Sequence, residues 1–358
     1  AILEKVYSDP ESEEVKRCEI DLWKNIRKKA LQGRRTGIGI TAEGDMLAAL
    51  GKRYASDEAI EFSTSVQKLL AFEAYKSSVN LAKERGAFEV FDAKREENNP
   101  FIKRLREMDE NFYQDMVKYG RRNIAMLTIA PTGTVSICTQ TTSGIEPVFM
   151  VSYKRRRKVN PNDKNAKVSF TDNDGNSFEE YNVFHPKFIT WLEVNGYNVE
   201  EVKNYNDEQL QEIINKSPYY KATANDIDWV SKVKMQGEMQ KWVDHSISVT
   251  VNIPAETTEE LVSQIYQTAW ECGCKGMTIY RDGSHTGVLV SNKKEEKKNA
   301  ENDIIETHSP VRPKTLECDV VRFQNNYEKW IAFVGKINGK PYEIFLGKQD
   351  DFYLPPFV

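Results

Sequence analysis

The chain has 358 residues, 39% of them hydrophobic and 29% charged, with 50 basic against 54 acidic side chains and a formal net charge of −4. This apolar share excludes a disordered chain, and the length suits one large domain with an appendage, or two domains. Balanced charge excludes the basic footprint of a general nucleic-acid binder, and no apolar run reaches the roughly 18 residues of a membrane span.

The first residues, Ala1-Ile2-Leu3-Glu4-Lys5-Val6, lack a signal-peptide core. Five cysteines, an odd number without small-scaffold spacing, agree with a reducing compartment, so the chain reads as cytoplasmic. Residues 12 to 32 carry apolar positions in helical rhythm and stop near Gly33. The glycine-broken run Arg34-Arg35-Thr36-Gly37-Ile38-Gly39-Ile40-Thr41 follows. Its Gly-x-Gly lacks the third glycine of a dinucleotide fingerprint, and close backbone approach is the better account of it. Ser56 as N-cap, Asp57 and Glu58 in the first turn and Gly86 as the stop predict a helix from Ser56 to Arg85. Its core face is expected to be Phe62, Val66, Leu69, Leu70, Tyr75 and Val79.

Asn123 to Ala130 is a nearly continuous apolar run, as expected of a strand buried on both faces in a parallel sheet. The basic cluster Tyr153-Lys154-Arg155-Arg156-Arg157-Lys158 is read as a solvated edge or a phosphate-facing patch. It opens a stretch to residue 183 whose turn sequences predict a protruding hairpin. Helical material runs from Pro186 to about Met239. The β-forming run Ser246–Ile253 follows, then a helix opened by Thr257/Thr258 with Glu259 and Glu260, and a strand over Gly276–Arg281. A charged linker occupies residues 293 to 302. Beyond it, Asn338-Gly339 between two β-rich runs predicts a hairpin. The division expected is 1–290 for the main domain, 291–313 for a linker and 314–358 for a small β-hairpin module.

The buried run ends in Pro131-Thr132-Gly133-Thr134-Val135-Ser136. Backbone N–H groups at a helix start, a glycine allowing close approach and small hydroxyl side chains are what a phosphate needs. A Walker lysine is absent, so this is not a nucleoside-triphosphatase loop. By residues alone, a phosphate site and an ordinary tight turn both remain open.

The stretch Asn123–Ser136 followed by Thr141-Thr142-Ser143-Gly144-Ile145-Glu146-Pro147-Val148-Phe149 resembles ribonucleotide reductase catalytic chains. Three further stretches resemble them in the same order: Arg35–Ile40 with Gly44–Gly51, Trp242–Pro254 and Lys275–Ser284. The Tyr280-Arg281-Asp282-Gly283-Ser284 ending and the terminal Pro341-Tyr342-Glu343-Ile344-Phe345 look most like the adenosylcobalamin-dependent class II enzymes. The resemblance implies an α/β fold, part of a ten-stranded α/β barrel with a small C-terminal β appendage. It also implies that Thr132, Gly133, Thr134, Val135 and Ser136 cradle the diphosphate of a ribonucleoside di- or triphosphate. Adenosylcobalamin is the implied cofactor and a thioredoxin-like protein the implied reductant.

No stretch resembles the family's radical-cysteine finger loop, so no catalytic residue is assigned. An N-terminal half, as a separate chain or a missing segment, is the implied partner; no nucleic acid or membrane partner is expected. Cys18, Cys138, Cys272, Cys274 and Cys318 match no catalytic cysteine of the family. Cys272 and Cys274 point about 200° apart on a helix, and packing is the better reading. The four histidines, His185, His245, His285 and His308, are scattered and suggest no metal site; His245 beside Asp244 is an oriented acid/base pair or, preferably, a structural hydrogen bond. A non-catalytic nucleotide-binding or regulatory paralogue is the alternative. Another radical enzyme of similar barrel is a third reading, without a visible glycyl-radical segment.

Overall fold

The structure, a computed structural model, describes residues 2–158, 168, 170–171, 177–282, 312–325 and 327–349. The turn sequences 160–163 and 172–176, His285, His308, the charged run 293–302 and the end from residue 354 lie outside them. Two compact units are present, Ala1–Leu31 with Glu295–Val358, and Gln32–Lys294.

The first unit begins with α1 (Ile2–Ser8) and α2 (Glu13–Gly33). In the second, α3 (Glu43–Ala49) and α4 (Asp57–Arg85) are followed by α5 (Ala93–Glu96), α6 (Pro100–Met108), α7 (Glu110–Tyr119) and α8 (Gly133–Thr139). An antiparallel sheet comes next, β1 (Ser152–Lys158), β2 (Phe170–Thr171) and β3 (Ser177–Phe184), with β3 central. Helices α9 (Pro186–Val194), α10 (Val199–Val202), α11 (Asp207–Asn215) and α12 (Trp229–Gln240) lead to β4 (Thr250–Ile253), α13 (Glu259–Glu271) and β5 (Thr278–Arg281). The first unit ends in the antiparallel meander β6 (Glu317–Asn325), β7 (Glu328–Ile337) and β8 (Lys340–Lys348). Asn338 and Gly339, both at positive φ, turn β7 into β8 as a two-residue hairpin requires.

Helix α4 starts where its cap dictates: the Ser56 hydroxyl accepts the Ala59 N–H at 3.3 Å, a bond worth about 1 kcal/mol. Its buried stripe differs from the expected apolar one. Ala59, Ser63, Gln67, Ala71, Tyr75, Ser78, Val79 and Ala82 face inward, and Leu69 is 60% exposed. Small residues let α12 and the sheet approach closely, and two of the polar ones donate hydrogen bonds there. Gln67 Nε2 donates to Trp242 O at 3.3 Å, and Ser78 Oγ to Asn123 Oδ1 at 2.9 Å.

The centre of the second unit is a set of parallel chain stretches. Ile38 pairs with Leu127, Ile129 with Ile247, and β4 with β5 in parallel register. Gly39 allows the first contact, because a Cβ there would lie 2.1 Å from the Thr128 carbonyl oxygen. Met126, Leu127, Ile129, Ile247 and Val249 pack in the main core with α4, α6, α7 and α12. This is the helix-covered parallel arrangement that an unbroken apolar run requires. Among the described residues the array does not close on itself. No described helix is long and apolar enough to cross a membrane.

Candidate functional site

The stretch 125–130 is laddered on both sides. Ile38 N–H donates to Met126 O at 2.6 Å and Thr128 N–H to Ile38 O at 2.9 Å; on the other edge His245 N–H reaches Leu127 O at 3.0 Å and Ser248 N–H reaches Ile129 O at 2.8 Å. Pro131, lacking an N–H, ends the ladder. Thr132 then takes φ 52° and ψ 24°, a left-handed conformation costing a non-glycine residue about 1–2 kcal/mol. Its hydroxyl offsets that cost by accepting the Gly144 N–H at 2.7 Å and pairing with Thr41 Oγ1 at 2.9 Å.

This turn launches α8, and the five expected residues separate there into two groups. Gly133, Thr134 and Val135 are exposed, and their N–H groups belong to the first turn, which an α-helix leaves without intrahelical acceptors. Ser136 is buried; its N–H donates to Thr132 O at 2.8 Å and its hydroxyl to Gly133 O at 2.7 Å. The Thr132 and Ser136 hydroxyls thus shape the turn, while Thr134 presents the outward one.

The segment 41–45 stitches this turn to the loop 142–146. Ala42 N–H donates to Thr142 O at 3.1 Å and Glu43 N–H to Gly144 O at 3.2 Å. Asp45 and Thr142 clamp each other, Thr142 N–H to Asp45 Oδ2 at 2.8 Å and Asp45 N–H to Thr142 Oγ1 at 3.3 Å. Gly44 is required because a Cβ would meet the Glu146 carbonyl oxygen at 2.7 Å. Beside the stitched loops lies a cavity of about 360 Å³ lined by Ser136, Thr142, Ser143, Glu146, His185 and Asn252 among others.

Sequence reasoning assigned no role to the ion pair below this cavity. Lys232, 2% exposed, places Nζ 2.6 Å from Glu146 Oε2 and 2.5 Å from Thr250 O, while Thr250 N–H donates to Glu146 Oε1 at 2.7 Å. Burial pushes the Lys232 ammonium below its ordinary range, and Glu146 opposes that shift. The available signal was phase: Lys232 falls on the α12 face that buries Val233, Met235, Gln236 and Met239, where a lone cation needs a partner. Glu146 stood inside the Ser-Gly-Ile-Glu-Pro stretch without an assigned task.

No hydrogen bond joins the Asp244 and His245 side chains, and Asp244 serves the backbone instead. Asp244 accepts the Leu127 N–H at 2.8 Å, the Met126 N–H at 2.8 Å and the Tyr75 hydroxyl at 2.7 Å. His245 Nε2 stands 3.9 Å from Asp244 Oδ1, and Arg35 Nη1 approaches it at 3.3 Å. All five cysteines are free thiols. Burial pushes the Cys274 thiol up to about 11 and raises Cys272 as well, which makes both poor nucleophiles near neutrality. In the basic cluster, Lys154 Nζ pairs with Asp207 at 2.8 Å. Among the described residues no three His, Cys, Asp or Glu side chains converge as metal ligands.

Comparison with known proteins agrees with this arrangement. Residues 14–280 match the family described as ribonucleotide reductase, barrel domain, and residues 316–358 match the NrdJ homologue C-terminal domain. A vitamin B12-dependent ribonucleoside-diphosphate reductase of Thermoplasma acidophilum is 30% identical over 295 residues, covering 82% of this chain and 34% of that protein. The protein of the same description from Mycobacterium tuberculosis is 31% identical over 271 residues, covering 72% and 32%. Among solved structures, the class Id ribonucleotide reductase alpha subunit of Actinobacillus ureae shares the fold, with a TM-score of 0.50 at 20% identity over 72% of this chain and 40% of that one. The chain therefore spans about a third of the length of these two B12-dependent relatives. With four collinear stretches, the parallel array and the match over residues 14–280 in agreement, this chain belongs to the ribonucleotide reductase barrel-domain family.

Proposed function

We propose that this chain is the substrate-holding part of a vitamin-B12-dependent ribonucleotide reductase, an oxidoreductase that replaces the ribose 2′-hydroxyl of a ribonucleotide by hydrogen. One observation carries the reading. The parallel stretch 125–130 runs straight into a left-handed Thr132 whose hydroxyl is pinned from two sides, leaving the first-turn amides of α8 and the Thr134 hydroxyl outward. Prepositioned N–H groups at the carboxyl end of parallel strands suit the diphosphate of a ribonucleotide. Thr132 and Ser136 shape the cradle, and Gly133, Thr134 and Val135 face the anion. Binding there fixes the nucleotide so that groups on another part of the enzyme reach its ribose.

In this reading the strands 36–38, 125–130, 246–253 and 278–281 form one arc of the ten-stranded barrel. An N-terminal half, on the same polypeptide or a second chain, completes it and supplies the radical cysteine, and a thioredoxin-like protein reduces the assembled enzyme. The division at 1–290, 291–313 and 314–358 belongs to the same proposal, as does a cytoplasmic location, which suits the five free thiols. Adenosylcobalamin supplies the initiating radical when bound. The assembled enzyme would hold that cofactor, and no residue of this chain is assigned to it.

Calorimetric titration tests the cradle. Thr134→Ala is expected to weaken cytidine diphosphate about tenfold while leaving cytidine unchanged, because one charge-assisted hydrogen bond is lost. Equal affinity of the variant and the parent for the diphosphate would count against the assignment.

A further inference from the structure

His185 sits between β3 and α9 and lines the 360 Å³ cavity together with Ser136, one turn into α8. Backbone bonds hold it on both sides: its N–H donates to Val151 O at 2.9 Å and its carbonyl accepts the Phe188 N–H at 2.9 Å. Its Nε2 lies 2.7 Å from Asp45 Oδ1, and the side chain is 11% exposed. Asp45 also accepts the Tyr219 hydroxyl at 3.1 Å and the Thr142 N–H at 2.8 Å. A carboxylate receiving those donors is the acceptor toward the ring, so the Nε2 proton belongs to the imidazole. Nδ1 remains, with no partner among the described residues.

A ring held by a carboxylate at Nε2 donates from Nδ1 only in its protonated form, and in that form it can meet an anion in a cavity rich in hydroxyls. The charged neighbours permit it. Asp45 and the Tyr219 hydroxyl lie behind the ring, Lys187 is on its own helix, and Glu146 across the cavity is held by Lys232 and the Thr250 N–H. We propose that His185 is a phosphate-binding residue: Nδ1–H donates to the terminal phosphate of a nucleotide whose other phosphate rests against Gly133–Val135, and Asp45 is the positioning residue that aims the ring. This inference rests on the nucleotide reading above.

The test is titration of the full chain with cytidine diphosphate and with cytidine. His185→Gln is expected to bind the diphosphate about tenfold more weakly, because a donor to the phosphate is lost, and cytidine should bind both proteins alike. Asp45→Asn should weaken the diphosphate in the same way but by less, with cytidine again unaffected. Should the variants fold poorly, ring ¹⁵N spectra of the parent chain give an independent reading: pyrophosphate should move the His185 Nδ1 resonance more than Nε2. Diphosphate affinity equal in parent and His185→Gln, or an unmoved Nδ1 beside shifted Gly133–Val135 amides, overturns the role of His185 and leaves the nucleotide reading standing. No binding of either phosphate compound to the parent overturns both.

Discussion

Glu146→Ala is expected to lower stability by about 3–5 kcal/mol near neutral pH, because it leaves the Lys232 ammonium buried without a counter-charge. It also strips the Thr250 N–H of its acceptor at the start of β4. The loss has a defined pH dependence. Burial already holds the folded-state value of Lys232 below that of a free lysine, and removing Glu146 lowers it further. In the alkaline window between the two values the unfolded chain binds more protons than the folded one, so stability rises with pH. The variant should therefore recover part of its deficit in alkaline buffer. Lys232→Met in the same background should restore stability near neutrality, since a well-packed apolar side chain replaces an unpaired charge. Urea unfolding read by tryptophan fluorescence checks this. A deficit that grows with pH would show that the pair does not govern the loss.

The second large effect is expected at Asp244, whose side chain is 9% exposed. Asp244→Ala removes three acceptor contacts, to the Met126 and Leu127 amides and the Tyr75 hydroxyl, and should cost about 3–5 kcal/mol. The two amides open the stretch that carries Thr132 to its place, so the loss is also expected to loosen nucleotide binding. Asp244→Asn should recover only part, because its amide offers one oxygen where two are used and turns an NH2 toward a backbone donor. Thermal unfolding of the two variants decides: an alanine variant as stable as the parent would remove Asp244 from the fold's framework.

Much of this was legible before any coordinates because local chemistry and tertiary structure agree. Ser56, Asp57 and Gly86 mark a helix wherever it packs, and Asn338-Gly339 forces the β7–β8 turn by its own backbone preference. The core stripe of α4 was harder to foresee. Its inner face is built from Ala59, Ser63, Gln67 and Ala71, which periodicity ranks below Leu69 and Phe62, since closeness of neighbours and not side-chain size determines that face. At the site, proximity along the chain exposed Thr132 to Ser136, whereas Asp45, Glu146, His185 and Lys232 meet across separations of 86 to 140 residues. Each is an ordinary polar residue in its own segment. Only the fold turns a lysine on an apolar helix face and a glutamate before a proline into one buried pair, or a scattered histidine into a ring held by a carboxylate.

The central claim is that the amides opening α8 grip the diphosphate of a nucleotide. Amide-resolved NMR of the chain titrated with cytidine diphosphate, pyrophosphate and cytidine tests it directly. The prediction is that Gly133, Thr134 and Val135 shift with both phosphate compounds and stay still with cytidine. Shifts confined to other regions, with those three amides unmoved at saturation, would contradict it.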